Sequence, residues 1–237
     1  MGDIELLRNP ALRELRMQKV QEAAAYIQGL WNARLGQAPA TDLLSLMIHS
    51  ESRSRMDPRE FMGNLILLIV GGNDTTRNSK SGVVYALDAF PGEPAKLEAN
   101  PSLIPIAVSE IIRWQTPLAH MARTAIRDTE LRGRNIDKGD KLVLWYLSAN
   151  RDETAFGSDA DAFRVDRPNA RRHLAFGYGI DRCVGARLAE LQIAILPEEM
   201  AVRRMRVSVA FPRVRIPGCF VHGYRSPPVM VSNYASG

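Results

Sequence analysis

A single long helical segment limits the folds that this chain can adopt. Asp57 and Pro58 suit a helix start, because Asp caps free backbone amides and Pro is tolerated in the first turn. Beyond them, residues spaced by three and four share one helix face: Phe61, Leu65, Leu68, Gly72, Thr75 and Ser79. We therefore predict a long helix over residues 58–90.

Helices dominate the rest of the predicted organisation. Composition and spacing predict further helices over residues 6–35, 43–49, 103–114 and 184–200. Turn signals predict short strands within residues 131–147, one of them at 142–145, and within the tail at 206–231. Pro197 interrupts the last helical segment and is expected to end that helix early. The predicted fold class is mainly α with a minor β-sheet.

The composition indicates a globular protein without a membrane anchor. The chain has 237 residues, 46% of them hydrophobic and 24% charged, which is enough for a sizeable core. No apolar run approaches the ~20 residues of a membrane-spanning helix. Charges throughout the first thirty residues argue against a signal peptide, so we expect a cytoplasmic protein.

Cysteine, histidine and charge patterns narrow the possible ligands. Cys183 and Cys219 are too few for a disulfide framework, and no cysteine or histidine pair has zinc-site spacing. A bound metal is therefore expected to arrive with a cofactor. The net charge is +5, with arginines clustered within residues 164–172 and 203–206. A solvated basic face explains the clusters as well as an acidic partner does, and we expect no nucleic-acid binding, because no nucleic-acid-binding signature accompanies them.

A glycine-rich loop around Cys183 carries the strongest chemical signal. Residues 176–185 read Phe-Gly-Tyr-Gly-Ile-Asp-Arg-Cys-Val-Gly. The glycines permit tight turns and close approach to a flat ligand, and a helix beginning just after Cys183 favours the thiolate. Such a thiolate suits an iron ligand. The alternative is a buried structural cysteine in a glycine-rich turn.

A second motif interrupts the long helix. Residues 71–76 read Gly-Gly-Asn-Asp-Thr-Thr, and two glycines inside a helix cost about 1 kcal/mol each relative to alanine. The Thr75 hydroxyl is able to bond back to the carbonyl region of Gly71 and bend the helix, which leaves room for a small molecule such as dioxygen. Asp74 beside Thr75 supplies an acid next to an alcohol, suitable for relaying protons. The alternative is a packing glycine pair with a solvated aspartate.

These motifs together resemble those of the cytochrome P450 superfamily. The segment 176–185 fits the family's cysteine-loop signature, Phe-x-x-Gly-x-x-x-Cys-x-Gly. Glu110 and Arg113 match the family's Glu-x-x-Arg pair, and Arg167 matches the arginine that completes it. On a helix Glu110 and Arg113 share a face, so the three charges are able to meet. The resemblance implies the C-terminal, haem-binding part of the cytochrome P450 fold.

The resemblance also implies roles for individual residues. Cys183 would be the thiolate ligand of the iron of haem b, and Asp74 and Thr75 would form the family's acid–alcohol pair. Glu110, Arg113 and Arg167 would hold the scaffold. The remaining haem contacts would come from six residues: Phe176, Gly177, Gly185, Gly72, Arg123 and, with less support, His120. Arg123 would bind a haem propionate through charge-assisted hydrogen bonds.

Within the superfamily, the segments 71–79, 110–121 and 164–174 look most like those of bacterial alkane hydroxylases. The implied reaction inserts one oxygen atom of dioxygen into an aliphatic C–H bond, at or near the end of an alkane or fatty chain. The chain lacks a flavin or nicotinamide fingerprint. The implied electron donors are therefore a ferredoxin and its NADH-dependent reductase.

The chain also departs from the family pattern. It begins later than family members do, so residues 1–237 are expected to be a partial domain whose haem pocket is open on one side. Asp181 stands where the family usually has His or Arg, and an aspartate there would repel a propionate. A truncated, catalytically inactive remnant that binds haem weakly or not at all is therefore the alternative to a monooxygenase.

Overall fold

The computed structural model describes residues 8–51, 56–210, 212, 214–225 and 228–234. These residues belong to two compact units, Met1–Asn73 and Asp74–Gly237. The architecture is mainly α-helical with small sheets, as the sequence predicts. No helix in the described ranges is both long and apolar enough to cross a membrane.

The first unit is helical. Helix α1 spans Pro10–Arg34, and Asn9 caps it by accepting hydrogen bonds from the amides of Ala11 and Leu12. The predicted beginning of this helix, at residue 6, lies outside the described residues. Helix α2 spans Leu43–Ile48, and Asp42 caps it through the Ser45 amide. The start of helix α3 completes the unit, whose core consists of Ile27, Leu44, Met47, Ile48, Phe61 and Leu65.

Helix α3 spans Pro58–Ala89, which confirms the predicted long helix to within one residue at its end. Its start is capped as expected, because Asp57 Oδ1 accepts a hydrogen bond from the Arg59 amide at 2.7 Å. A single helix therefore carries residues 71–76 from the first unit into the second.

The second unit is built on a helical core. Helix α4 spans Gly92–Ala99, helix α5 spans Ile104–Gln115, and the short helices α6 and α7 span Tyr146–Ala149 and Glu153–Phe156. Helix α8 spans Ala186–Val202 and packs against α5. Their shared core holds thirteen buried side chains: Val83, Ala86, Leu87, Leu97, Ile104, Ala107, Val108, Ile111, Ile112, Trp114, Phe163, Val165 and Ile193.

Three small antiparallel sheets make up the β portion of the described residues. Strand β1 (Met121–Thr124) pairs with β4 (Lys141–Leu144), and Arg123 lies opposite Leu142. Strand β2 (Thr129–Leu131) pairs with β3 (Arg134–Ile136). Strand β5 (Met205–Val209) pairs with β6 (Val229–Asn233). The predicted strand at 142–145 is thus present one residue earlier.

Pro197 does not end the last helix, so that prediction was wrong. Helix α8 continues through Pro197 to Val202, and Pro197 is buried. A proline inside a helix costs about 3 kcal/mol, because it removes one hydrogen bond and crowds the preceding turn. Burial of Pro197, and of Ile193 one turn before it, offsets this cost.

Candidate functional site

The loop before helix α8 presents Cys183 at the surface. Gly177 and Gly179 adopt φ angles of +72° and +71°, a region that side-chain-bearing residues rarely enter. A short 3₁₀ turn over Gly179–Asp181 follows, and the Cys183 amide donates to the Phe176 carbonyl at 2.8 Å. Cys183 is exposed, so the alternative of a buried structural cysteine is wrong.

Two glycines of the cysteine loop, Gly177 and Gly185, have different roles in its structure. A Cβ at Gly177 would lie 3.4 Å from both the Asp181 carbonyl and the Tyr146 hydroxyl, an ordinary contact distance, so the φ angle of +72° is what calls for glycine there. A Cβ at Gly185 would lie 3.9 Å from Cys183 Sγ, an ordinary contact distance. Gly177 is therefore required by the loop itself, whereas Gly185 leaves the space beside the sulfur open.

Apolar side chains around Cys183 face solvent to an unusual degree. Tyr178 is 85% exposed, Ile180 102% and Val184 95%, and Leu188 on the first turns of α8 is also exposed. Several exposed apolar side chains so close together in the sequence favour a ligand or interaction site. Phe176 is half-buried and packs against the core of the second unit, so it anchors the start of the loop.

Helix α8 begins three residues after Cys183, and its first turn has free backbone amides. Gly185 is the N-cap residue and offers no side-chain hydrogen bond to those amides. The positive end of the helix dipole therefore lies close to the cysteine.

The second unit contains a buried network of charged side chains, formed by Glu110, Arg113 and Arg167. Arg113 donates to Glu110 through Nε at 2.6 Å and through Nη2 at 2.7 Å, and Arg167 Nε donates to Glu110 Oε1 at 3.0 Å. All three side chains are at most 2% exposed, so the predicted pairing of the three charges is present. Arg167 and Arg164 donate to Asp159, which lowers the pKa of that carboxyl to about 2.

Asn150 connects the network to the cysteine loop. Its backbone carbonyl accepts from Arg113 Nη1 at 2.6 Å, and its Oδ1 accepts from the Leu174 amide at 2.7 Å. Asn150 is fully buried. Residues 149–152 resemble a family segment, but the sequence does not predict this role of Asn150, because its partners are distant along the chain.

Arg123 and Asp181 form an ion pair. The sequence predicted opposite effects of these residues on a haem propionate, binding by Arg123 and repulsion by Asp181. Arg123 Nη2 lies 2.9 Å from Asp181 Oδ2, and Arg123 Nη1 donates to the Ala122 carbonyl at 2.9 Å. The carboxylate that was expected to repel a propionate therefore neutralises the arginine that was expected to bind one.

His120 is oriented by aromatic neighbours rather than by hydrogen bonds. Its ring lies 4.8 Å from Trp145 and 5.7 Å from Phe220 between centroids. His120 Nδ1 is buried and has no hydrogen-bond partner in the described part of the chain. An orphaned buried nitrogen is costly, so it is suited to a ligand that supplies the missing partner.

The motif at residues 71–76 stays helical. A Cβ at Gly71 or Gly72 would meet no atom within 4 Å in the described structure, so the alternative of a packing glycine pair is not supported. Gly72 belongs to the first unit, and Asp74 and Thr75 begin the second. Asp74 Oδ1 accepts from Arg77 Nη2 at 2.5 Å, one turn along the helix. The acid of the predicted relay is thus held by Arg77.

His173 gives the second unit a predictable pH dependence. Burial, followed by the charges of Arg182 and Arg113, lowers the His173 pKa from 6.5 to about 4. Below pH 6.5, His173 becomes protonated in the unfolded chain but stays neutral in the folded chain. The free energy of unfolding therefore falls as the pH drops towards 4. We expect a loss of up to about 3 kcal/mol from this residue.

Urea unfolding at pH 7 and pH 4.5 measures this loss. His173→Gln should be less sensitive to pH than the wild type. Part of the sensitivity should remain, because burial lowers the pKa of His222 to about 4 as well. Equal losses in the two proteins would contradict the assignment to His173.

The residues around Cys183 fit a haem. An exposed thiol just before a helix and exposed apolar side chains beside it in the loop suit an iron-binding sulfur and a flat apolar ring system. Asp181 is a misfit, because it is paired with Arg123, the arginine that was expected to bind a propionate.

Comparisons with known proteins show which family the chain resembles. The sequence profile of the family "Cytochrome P450" matches residues 102–208. Linalool 8-monooxygenase of Pseudomonas putida is 39% identical over 211 residues, which cover 89% of this chain and 51% of that protein. The methyl-branched lipid omega-hydroxylase of Mycobacterium bovis is 39% identical over 79% of this chain and 44% of its own length.

A solved structure is also similar. CYP153D17 from Sphingomonas sp. PAMC 26605 is 64% identical and has a TM-score of 0.91 over 98% of this chain and 58% of that one. The chain thus spans about half the length of the curated relatives that it matches.

Proposed function

Because this chain belongs to the cytochrome P450 family, whose cofactor is haem b, we propose that it forms the haem-thiolate part of a monooxygenase. The proposed reaction inserts one oxygen atom of dioxygen into an aliphatic C–H bond. The observation that carries the proposal is the exposed Cys183 on a glycine-shaped loop, surrounded by uncovered apolar side chains.

Haem, when bound, supplies the site at which dioxygen is activated. Cys183 would hold it through Sγ, at the start of α8. Phe176, Gly177 and Gly185 would shape the loop against the ring, and Gly72 would leave space on the α3 side. The apolar side chains around Cys183 would exclude water, which strengthens every electrostatic interaction inside the site.

Asp74 and Thr75 are proposed to handle protons. Thr75 Oγ1 would hold a proton for delivery to oxygen, and Asp74 would replace it from solvent. Asp74 is half-exposed and bonded to Arg77, so it is able to exchange protons with water once it leaves that partner. The pair therefore suits a relay that opens and closes by rotation of one side chain.

The substrate is proposed to be a medium-chain alkane or fatty chain, oxidised at or near its end. This class of substrate is supported by the resemblance to bacterial alkane hydroxylases in residues 71–79, 110–121 and 164–174. One matched relative is named a lipid omega-hydroxylase, which is consistent with oxidation at a chain end. A ferredoxin and an NADH-dependent reductase are the proposed electron donors, and a location in the cytoplasm remains a prediction from the sequence.

Product analysis tests the proposed function. The haem-loaded protein is supplied with a ferredoxin, its reductase, NADH and a medium-chain alkane, and the terminal alcohol is quantified. Formation of the alcohol supports the proposal. Haem binding without any aliphatic oxidation would favour the alternative of an inactive remnant.

Thr75→Ala tests the proton relay. We expect NADH consumption to continue while the alcohol formed per NADH falls at least about 10-fold, because oxygen reduced by the two electrons of NADH would leave with two protons from water as hydrogen peroxide. The control is Thr76→Ala, the same change at the next, buried residue. Alcohol yield that is equal in the Thr75 variant and the wild type would contradict the relay.

A further inference from the structure

We propose that Asp181 competes with haem for Arg123, so that a propionate of haem meets a guanidinium that is already paired with a carboxylate. This inference deepens the proposed function and rests on the assignment of Arg123 as a haem contact. Arg123 and Asp181 are both partly exposed, with side chains 36% and 56% accessible, so a ligand is able to reach the pair.

Both terminal nitrogens of Arg123 are already in use. Nη2 is paired with Asp181 Oδ2 at 2.9 Å, and Nη1 donates to the Ala122 carbonyl at 2.9 Å. A carboxylate binds arginine best through two parallel N–H groups. Arg123 keeps further N–H groups, so an incoming propionate has either to share the guanidinium with the Asp181 carboxylate or to replace it.

The two partners come from different elements. Arg123 lies in strand β1, whose pairing with β4 fixes the backbone beneath it. Asp181 ends the 3₁₀ turn Gly179–Asp181, two residues before Cys183. The ion pair therefore ties the cysteine loop to the β1–β4 sheet, and its release would free the loop as well as the guanidinium.

Replacing the Asp181 carboxylate on Arg123 by a haem propionate adds little to the free energy of haem binding. A propionate on Arg123 would recover roughly the interaction that Asp181 had made, while Asp181 would be left close to a second negative charge. The propionate contact therefore adds less to haem affinity here than it would beside a neutral residue. Asp181 therefore lowers the affinity of the protein for haem.

Haemin titration tests the competition. Full-length wild-type protein and Asp181→Asn are titrated with haemin, and binding is followed by Soret absorbance and by quenching of tryptophan fluorescence. We expect Asp181→Asn to bind haemin roughly 5-fold more tightly, a change typical of an exposed charge interaction. Asp181→Glu, which keeps the carboxylate, should stay within about 2-fold of the wild type.

A second ligand separates competition from a general effect on the loop. Haemin dimethyl ester carries no propionate charge, so Asp181→Asn and the wild type should bind it equally. A matched variant, Arg182→Gln, changes the charge of the next residue, which is exposed and has no ion pair in the described structure. This variant should not reproduce the gain.

A further variant tests the role of Arg123. In an Arg123→Gln background, Asp181→Asn has no guanidinium to release, so its gain should shrink to less than about 2-fold. An undiminished gain in that background, an equal gain with the dimethyl ester, or no gain with haemin would each overturn the proposal. Circular dichroism and thermal melting of each variant verify that the fold is retained.

Failure of this proposal is distinguishable from failure of the proposed function. Affinity for haemin is measured without reduction, oxygen or substrate, so it is independent of turnover. A protein that shows the Asp181 effect but oxidises no alkane would retain the competition and lose the proposed reaction. The opposite result would retain the reaction and lose the competition.

Discussion

Cys183→Ala is expected to abolish thiolate ligation of haem completely. The wild-type protein, loaded with haem, reduced and exposed to carbon monoxide, should show the strongly red-shifted Soret band of a thiolate complex. The variant should lack that band and bind haem more than about 100-fold more weakly, because loss of a metal ligand exceeds the 10- to 100-fold effect of losing an outer-shell partner. Absorption spectroscopy gives both results.

Cys219→Ala is the matched control. Cys219 is the other cysteine in the chain and is also exposed, and it follows strand β5 in the C-terminal segment. The same substitution there should leave the carbon monoxide spectrum unchanged. A thiolate-type band that persisted in the Cys183 variant, or disappeared in the Cys219 variant, would move the ligand away from Cys183 and remove the basis of the proposed function.

The carbon monoxide spectrum also separates the two alternatives left by the sequence. A thiolate band from this chain alone would show that the uncovered apolar rim and the loop suffice to hold haem. A wild-type protein without the band would favour the inactive remnant. The Asp181→Asn variant is informative in that case, because a recovered band would identify Asp181 as the obstacle.

The local parts of the fold were predictable from the sequence. The start of α3 at Pro58 follows from Asp57 and proline chemistry, which act within one helical turn. The cysteine loop was also predictable, because the glycines that shape it lie next to Cys183 in the chain. Positive φ angles at Gly177 and Gly179 are what such glycines permit.

Breaker residues misled the secondary-structure prediction in two places. Helix α4 was missed because Gly92 and Pro94 suggest a turn, although proline is tolerated in a first turn. Helix α8 was expected to stop at Pro197, but tertiary burial outweighs the local penalty. Both errors have the same cause, since residue propensity is a weaker determinant than packing of the flanking turns.

Pairings between distant residues were beyond the sequence. One motif identified Arg123, and a departure from another identified Asp181, but their contact depends on how the β1–β4 sheet meets the cysteine loop. The role of Asn150 was not predictable for the same reason, because its carbonyl and its Oδ1 accept hydrogen bonds from α5 and from the segment before the loop. The residue types of the site were therefore predictable from the sequence, whereas the pairings between its charged residues were not.

Glu110→Gln should destabilise the second unit by about 3–5 kcal/mol, the cost typical of breaking a buried ion pair by removal of one partner. Glu110 accepts from Arg113, from Arg167 and from the Arg164 amide, and it is fully buried. A glutamine keeps one acceptor oxygen but turns an amide group towards the guanidinium groups. Two buried positive charges would then face a donor instead of a carboxylate.

Urea unfolding measures this change, with Glu199→Gln as the matched control. Glu199 accepts from Arg203 at 2.9 Å in an ion pair whose side chains are 51% and 66% exposed, so the same substitution there should cost less than about 1 kcal/mol. Because Arg113 also holds the Asn150 carbonyl, the Glu110 variant should lose haem affinity even where it remains folded. A cost at Glu110 no larger than that at Glu199 would mean that the network does not support the loop.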